Sequence, residues 1–350
     1  MHVALLGPVA PPAGGVQSHT TALRQRLLDA GHHVSQVAIT RSERVIRDDV
    51  YYPDGPIDVL RIIRKLSADI IHIHLGGDFT NRLAALCAAL ALMPGARSVL
   101  TFHSGGFPSS AAGQRASRNT VVGAAIRQLD AVIAVNQEIA DLFRRYGVHE
   151  DAISVIAPHA NVDRRMIAPK LPLKLESFYQ GHSPVFVSVG LLEPEYNLEL
   201  QIDTLPYMRE VWPNAGLVLV GSGSLHSALR DRISASGCSD HISLIGDMAH
   251  DNTLRAISDA DVLLRTTSYD GDAVSVREAL QLGTKVVASN TGMRPAGVYL
   301  MDALTPKSLR VTCERAISFE GSSLPGTLTL PANDELADIV ALYVALTNAV

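Results

Sequence analysis

The sequence predicts an α/β protein made of two parallel-sheet halves, and three observations carry this. Short apolar runs alternate with amphipathic stretches over most of the chain, which argues parallel strands covered on both faces by helices. The alternation breaks between Pro169 and Pro184 and then restarts. Each half opens on a strand that runs into a glycine-bearing turn, Gly14-Gly15 in the first and Gly190 in the second.

In chain order, Val3–Leu6 is the first strand. Pro8 to Gly15 follow, then a helix over Val16–Ala30 that stops at Gly31, the residue type that best accepts a left-handed helix end. Val34–Ile39, Ile70–His74, Val99–Phe102, Ala131–Val135 and Ile153–Ile156 are further strands, with helical stretches between most of them. PKLPLKLESFYQGHS reads as a linker over residues 169–183. The second half restarts with strand Val185–Val189, a helix near Leu198–Val211 and strand Leu217–Val220. A helix near Leu225–Ser236, strand Ile242–Ile245 and a helix near Asn252–Ser258 come next. Strand Val262–Leu264, a polar loop, helix Val274–Leu282 and strand Val286–Ala288 close the alternation. Ser318–Pro331 is expected as a loop and Asp334–Leu346 as a final amphipathic helix.

A chain of 350 residues is long enough for two such domains, each with its own core. Hydrophobic residues at 47% with 19% charged are ordinary for a water-soluble globular chain. Cys87, Cys238 and Cys313 are odd in number and lack metal-ligand spacing, so a reduced cytoplasmic setting is expected. No basic segment precedes Val3–Leu6, so no signal peptide is expected. The longest apolar run, Leu83–Met93, is about half of a membrane span and is expected as a buried helix. Residues 1–170 hold 18 Lys/Arg against 14 Asp/Glu, while residues 171–350 hold 12 against 21. A mildly basic first half suits an anionic acceptor or a membrane surface, though a chance spread of solvated charges is the simpler account. The absence of a basic stripe with interleaved aromatics speaks against nucleic acid.

The chemistry-bearing stretch is Asp261–Asn290. Its loop carries Asp270, Gly271 and Asp272, and the helix that follows carries Ser275, Arg277 and Glu278. A turn plus two helical turns separate Asp270 from Glu278, enough to aim both carboxylates into one cleft at the carboxyl end of a strand, where open α/β sheets bind ligands. Arg265 ends the strand before the loop, and Arg294 follows the strand after it. Gly14-Gly15 leaves free N–H groups at a positive helix end, suited to phosphate or a polar sugar, though a plain strand-to-helix turn also explains it. Gly221-Ser222-Gly223 lacks a third glycine and a following acid, so backbone contact with a nucleotide is a better reading than a dinucleotide fingerprint. His72 and His74 share one strand face. No third ligand stands out, so packing or hydrogen bonding is expected of His72, and His74 at the strand end is the better cleft residue. Thr101 to Gly106 likewise deliver His103 and Ser104 into a glycine-rich loop. The Ser/Ala/Gly-rich segment Phe107–Thr120, with Arg115 and Arg118, reads as a mobile cover.

Taken together, Gly14-Gly15-Val16-Gln17-Ser18-His19, Asp69–His74, Leu100–Ser104, Ala134-Val135-Asn136, Val189-Gly190, Leu219–Gly223 and Asp270–Gly283 resemble glycosyltransferase family 4. The resemblance covers roughly residues 1–300 in order. It implies a GT-B fold: two Rossmann-like domains facing a central cleft, with a C-terminal helix that crosses back to the N-domain. The implied domains are 1–168 with 334–350 for the acceptor and 184–333 for the nucleotide sugar, joined by 169–183. The implied activity is retaining, metal-independent transfer of a sugar from a nucleoside-diphosphate donor to a glycan or lipid-linked acceptor, with no cofactor or bound metal, as in cell-surface polysaccharide or glycolipid synthesis. Carried over residue by residue, Asp270 (in place of the usual Glu) meets the transferred sugar, Glu278 the ribose and His103 the reacting centre. Donor contacts fall to Gly14, Gly15, Gly190, Gly221, Arg265, Gly271, Asp272, Ala273, Val274, Ser275, Arg277 and Arg294. Acceptor contacts fall to His74, Ser104, Arg115 and Arg118.

One departure bears on activity. Where the family has an Arg and a Lys for the donor diphosphate, this chain has Leu191 and Tyr196. Charge-assisted contacts are worth roughly 1.5–3 kcal/mol each, so losing both costs about 3–6 kcal/mol. Either Arg265, Arg277 or Arg294 takes over, or those arginines only pair with Asp270, Asp272 and Glu278. In the second case the chain is a catalytically weak, glycosyltransferase-like scaffold or partner subunit. A nucleotide-sugar epimerase on the same fold is a third, less specific alternative.

Overall fold

The computed structural model describes residues 1–9, 14–40, 44, 46–158, 162, 167–270, 272–292, 294–319 and 334–348. It divides into two compact units, Met1–His159 with Asn333–Val350, and Ala160–Ala332.

In unit 1 the chain runs β1 (His2–Gly7), α1 (Gly15–Asp29), β2 (His33–Ala38), β3 (Val50–Tyr51), α2 (Pro56–Leu66) and β4 (Ile70–Leu75). It continues through α3 (Asn81–Ala91), β5 (Arg97–Phe102), α4 (Ala111–Gln114), α5 (Val121–Ile126), β6 (Ala131–Ala134), α6 (Gln137–Arg145) and β7 (Ile153–Val155). The seven strands order as β3-β2-β1-β4-β5-β6-β7, and every pairing is parallel. The order reverses between β1 and β4, which makes the crevice at their carboxyl ends the topological switch point. The central strands are buried along nearly their whole length and mostly apolar, as cover on both faces requires. Local caps fix where helices begin: Thr80 accepts from the Leu83 N–H at 3.3 Å and Asn136 from the Ile139 N–H at 2.9 Å. The apolar run Leu83–Met93 lies mainly in α3, which buries Ala84, Cys87 and Leu90.

Unit 2 contains α7 (Leu173–Gly181), β8 (Val185–Val189), α8 (Leu198–Arg209), β9 (Gly216–Val220), α9 (His226–Ala235), β10 (Ile242–Gly246) and α10 (His250–Asp259). Then come β11 (Val262–Arg265), α11 (Val274–Leu282), β12 (Lys285–Ser289), β13 (Val298–Met301) and α12 (Pro306–Ser318). Its six parallel strands order as β10-β9-β8-β11-β12-β13, so the switch point lies between β8 and β11. The segment 169–183, read as a linker, belongs to unit 2 and is largely helical. Leu171 and Leu175 bury against Val185 and Val187 there, with Phe178 and Tyr179 packed beside them. The loop expected over Ser318–Pro331 lies outside the described residues beyond Phe319.

The last helix, α13 (Glu335–Asn348), packs in unit 1 on the sheet face that α1 also covers. Leu336, Ile339 and Tyr343 recur at the three- and four-residue spacing of a helix stripe and are buried with Leu5, Leu23, Ile70 and Val99. The Tyr343 hydroxyl bonds His72 Nδ1, and His72 Nε2 bonds Thr101 Oγ1 at 2.7 Å. Burial and the neighbouring His19 hold the His72 pKa well below its ordinary value, so the ring is neutral and both nitrogens are engaged. No helix among the described residues is long and apolar enough to cross a membrane. Tyr343→Phe leaves a buried imidazole nitrogen without its partner, a loss of about 1–3 kcal/mol. A urea midpoint unchanged from wild type would show that this bond does not hold α13 in place.

Candidate functional site

The two switch points gather most of the residues singled out from the sequence. In unit 2, Arg265 closes β11 and is 8% exposed. Its Nε donates to Asp270 Oδ2 at 2.8 Å, Nη2 to Oδ1 at 3.2 Å, and Nη1 to the Val189 carbonyl at 3.0 Å. From beyond β12, Arg294 Nη1 donates to the same Asp270 Oδ2 at 2.8 Å. Its Nε and Nη2 reach the Ser289 carbonyl at 3.1 Å and Thr267 Oγ1 at 2.7 Å. Burial alone would raise the Asp270 pKa; Arg265 and Arg294 outweigh it and hold the carboxyl at about 2. Two guanidinium groups against one carboxylate leave this cluster with a positive balance.

The neighbouring loops are built around that cluster. The Arg265 guanidinium lies over the Tyr196 ring at 4.7 Å from its centroid, a cation–π contact that strengthens with desolvation. Gly190 sits beneath both: a Cβ there would come within 2.3 Å of Tyr196 Cε1 and 2.9 Å of Arg265 Nη1. Tyr196 thus fills the space over Gly190, while Leu191 is exposed. Gly221, at φ +136°, and Gly223 have a structural reason too. Their Cβ atoms would come within 1.8 Å of the Gly190 carbonyl oxygen and 2.5 Å of the Leu192 carbonyl oxygen.

Helix α11 opens at Ala273 with no side-chain cap and no acid in its first turn, so its positive end stays uncompensated by its own residues. Val274 and Ser275 form that end. Asp272 pairs with Arg277 (2.6 and 2.8 Å); desolvation raises the Asp272 pKa despite the partner. Glu278 is buried, and its Oε1 meets His250 Nε2 at 2.7 Å. The bond to Glu278 raises the His250 pKa against the opposing effect of burial. His250 was not legible in the sequence: it opens α10, and only the packing of α10 on α11 brings it to Glu278. Gly271 lies outside the described residues.

In unit 1, Gly14 is the uncapped N-cap of α1, with Gly15 as its first residue. His74 is the last residue but one of β4, and its Nδ1 lies 3.2 Å from Nε2 of His103, the residue just beyond β5. The third partner that the sequence reading lacked is His19. It is buried on α1, with its ring centroid 5.5 Å from that of His74 and 5.3 Å from that of His103. A helix-borne residue over fifty positions from the strand histidines carries no spacing signal. Ser104 is half-buried beside His103. The segment Phe107–Thr120, read as a mobile cover, is anchored instead. Phe107 is buried against Phe102, α4 and the Thr120 cap of α5 structure the rest, and a Gly113 Cβ would strike the Phe107 carbonyl oxygen at 1.9 Å. Arg115 donates to the Ala111 carbonyl within its own turn, and Arg118 packs against Gly147. Neither is tied to the histidines by a contact among the described residues.

Two family models match the chain: Glycosyltransferase Family 4 over residues 13–164 and Glycosyl transferases group 1 over residues 176–298. The chain is 26% identical over 317 residues to the GDP-mannose-dependent alpha-(1-6)-phosphatidylinositol monomannoside mannosyltransferase of Mycobacterium tuberculosis, a match covering 82% of this chain and 80% of that protein. Among solved structures, Anabaena Alr3699/HepE in complex with UDP-glucose superposes with a TM-score of 0.69 at 15% identity, over 100% of this chain and 95% of the other. Sucrose-phosphate synthase from Thermosynechococcus elongatus does so at 0.72 and 16%, over 100% of both chains. At such identities the two structures speak for the fold.

Two outcomes follow from the ion pairs. Asp270→Asn strips the counter-charge from two buried arginines, at a cost of about 3–5 kcal/mol near neutral pH. The folded pKa of about 2 lies below the ordinary 3.8, so this contribution is present above the carboxylate range and fades as pH falls toward 2. Urea unfolding from about pH 6 to 2.5 should show the deficit shrinking; a constant deficit contradicts the ion-pair account. For His250 the sign is opposite. Its raised pKa gives stability that is complete below about 6.5 and lost as pH rises through the folded value. The Tm difference between wild type and His250→Gln is therefore larger near pH 6 than near pH 8.5, and equal differences would rule the linkage out.

Proposed function

The chain belongs to the family 4 glycosyltransferases of the GT-B fold, and from that premise we propose that unit 2 binds a nucleoside-diphosphate sugar and unit 1 a glycan or lipid-linked acceptor. Transfer proceeds with retention of configuration at the sugar. The observation that carries this is the Arg265–Asp270–Arg294 cluster. It holds more positive than negative charge, it is buried, and it stands at the carboxyl end of β11 beside the β8/β11 switch point, where open α/β sheets take their ligands.

The reading assigns each group a task. The diphosphate meets the uncapped end of α11 through the Val274 and Ser275 N–H groups. Arg265 and Arg294 offset the charge that develops as the diphosphate leaves, a stabilisation that is strongest in a desolvated site. They stand in for the cations that Leu191 and Tyr196 do not supply. Asp270, fully ionised and fixed by both arginines, faces the transferred sugar. Glu278 accepts from the ribose hydroxyls through Oε2, since His250 engages Oε1. In unit 1, the neutral His103 meets the acceptor or sugar with His74 behind it. The departing phosphate takes the acceptor proton, so no protein nucleophile is required. The chemistry rests on positioning and electrostatics.

Two likenesses support the donor class. The mycobacterial relative is named for GDP-mannose, and the Anabaena structure holds UDP-glucose. The relative's phosphatidylinositol monomannoside substrate also makes a lipid-linked acceptor reasonable. One observation favours the scaffold alternative: every arginine of the cluster already has a carboxylate partner.

Calorimetric titration with the common nucleoside diphosphates decides between the two. At least one should bind at or below millimolar concentration. Arg294→Ala should weaken it about tenfold to a hundredfold, as loss of one charge-assisted contact implies, and Arg294→Lys should weaken it less. If none of them binds at millimolar levels, the scaffold reading stands and the transferase reading falls.

A further inference from the structure

Next to the Arg265–Asp270–Arg294 cluster lies a second polar network, to which the transfer proposed above gives no task. Gln201 stands one turn into α8 and is 1% exposed. Its Nε2 donates in two directions, to Ser188 Oγ on β8 at 3.1 Å and to Thr266 Oγ1 just beyond β11 at 2.8 Å. Each hydroxyl donates in turn: Ser188 Oγ to the Leu264 carbonyl at 3.3 Å, and Thr266 Oγ1 to the Tyr196 carbonyl at 2.9 Å. Both hydroxyl protons are thus engaged elsewhere, so Gln201 must turn its amino group toward them. Its Oε1 is left buried with no hydrogen-bond partner among the described residues.

Asn197 adds an independent observation. It is the N-cap of α8, at φ +50° in the left-handed region, which asparagine enters more readily than most residues. An asparagine at that position ordinarily accepts from an N–H of its own helix, yet this one makes no capping bond. Its Nδ2 reaches across instead, to the Thr266 carbonyl at 3.0 Å and Ser268 Oγ at 2.8 Å. The Ser268 N–H returns to the Glu195 carbonyl at 2.8 Å. The turn that carries Tyr196 is thereby stitched to the loop that carries Asp270, and Gln201 ties the stitch to β8 and α8. A half-satisfied buried amide is a poor means of stabilising a core. It is a good means of fixing one arrangement, because hydrogen bonds are directional and apolar packing is not.

We propose that Gln201 is a positioning residue, which sets the Tyr196 turn against the Asp270 loop and so fixes Arg265 between its ring and its carboxylate. Gln201 acts only through Ser188 and Thr266. That Arg265 so placed serves a donor diphosphate rests on the transfer reading; the positioning of the two segments does not.

The test is hydrogen exchange, read by mass spectrometry on the full chain without ligand. Gln201→Leu removes both donated bonds and the orphaned carbonyl together. Segments 190–200 and 264–270 should exchange about tenfold faster, as loss of two ordinary hydrogen bonds implies. The urea midpoint should stay at or above that of wild type, since local opening and global unfolding are separate events. Thr266→Val breaks the network from its other end and should give the same acceleration, and the double variant no more than either single one. Thr204→Val lies on the same helix and loses only a bond to the Leu200 carbonyl, so both segments should exchange as in wild type. Should Gln201→Leu fail to fold, Thr266→Val and Thr204→Val carry the comparison. Unchanged exchange, additive effects, or acceleration that merely follows a fallen urea midpoint would overturn the proposal. Titration with nucleoside diphosphates separates it from the transfer reading. Where wild type binds one, Gln201→Leu should weaken it about tenfold, and faster exchange with unchanged affinity would overturn the link to the site. A wild type that binds none counts against the transfer reading alone, and the exchange rates still decide the positioning.

Discussion

A buried carboxylate cannot stay ionised alone, and the loops of unit 2 are organised around that constraint. Asp270 remains charged because Arg265 and Arg294 approach it from β11 and from the segment beyond β12. Each arginine then needs partners for its remaining N–H groups, and the backbone supplies them: the carbonyl of Val189 for Arg265 and that of Ser289 for Arg294. The cluster therefore ties the ends of three neighbouring strands, β8, β11 and β12. Removing Asp270 leaves both arginines desolvated and uncompensated, whereas removing one arginine leaves a single ion pair. This gives the site its rigidity and also confines the loops: Gly190 has no room for a side chain, and Gly221 and Gly223 pack on the backbone of the same turn.

Unit 1 meets the same burial problem with the opposite solution. Its switch point collects imidazoles, which escape the cost of burial by giving up their protons. A neutral imidazole still carries one donor and one acceptor, so the cost moves from charge to hydrogen bonding. His72 settles it through Tyr343 and Thr101, which makes the C-terminal helix part of the histidine array. His74 settles only one of its two nitrogens. Unit 2 thus keeps its buried charge by pairing it, and unit 1 gives its charge up.

The sequence made the sheets legible because central parallel strands are continuous apolar runs. Val3–Leu6, Ile70–His74 and Val262–Leu264 each fall inside an observed strand. The short outer strands β3 and β13 were not legible, since two and four residues carry little pattern. Helix α7 was read as linker because its register buries few residues, Leu175 foremost. At the site, the arginines stood out as a group, but spacing along a chain cannot say which guanidinium meets which carboxylate. Arg294 reaches Asp270 across 24 positions. His19 and His250 act through helices whose placement depends on tertiary packing, and no local motif announces such partners. The glycines at 221 and 223 admit two readings, since a ligand loop and a close backbone crossing require the same residue.

The departure at Tyr196 takes on a physical meaning once the cluster is seen. The family's usual lysine there would set an ammonium group against the guanidinium of Arg265, two like charges in a poorly solvated corner. A tyrosine offers instead a ring face that attracts the guanidinium and fills the space over Gly190. Burial opposes the charge on Arg265, and Asp270 together with Tyr196 restores it, raising its pKa above the ordinary value. Tyr196 and the inward position of Arg265 are therefore one arrangement rather than two independent differences. A lysine at position 196 would bring an ammonium group against Arg265 in place of the ring face and disturb the hold of Arg265 on Asp270.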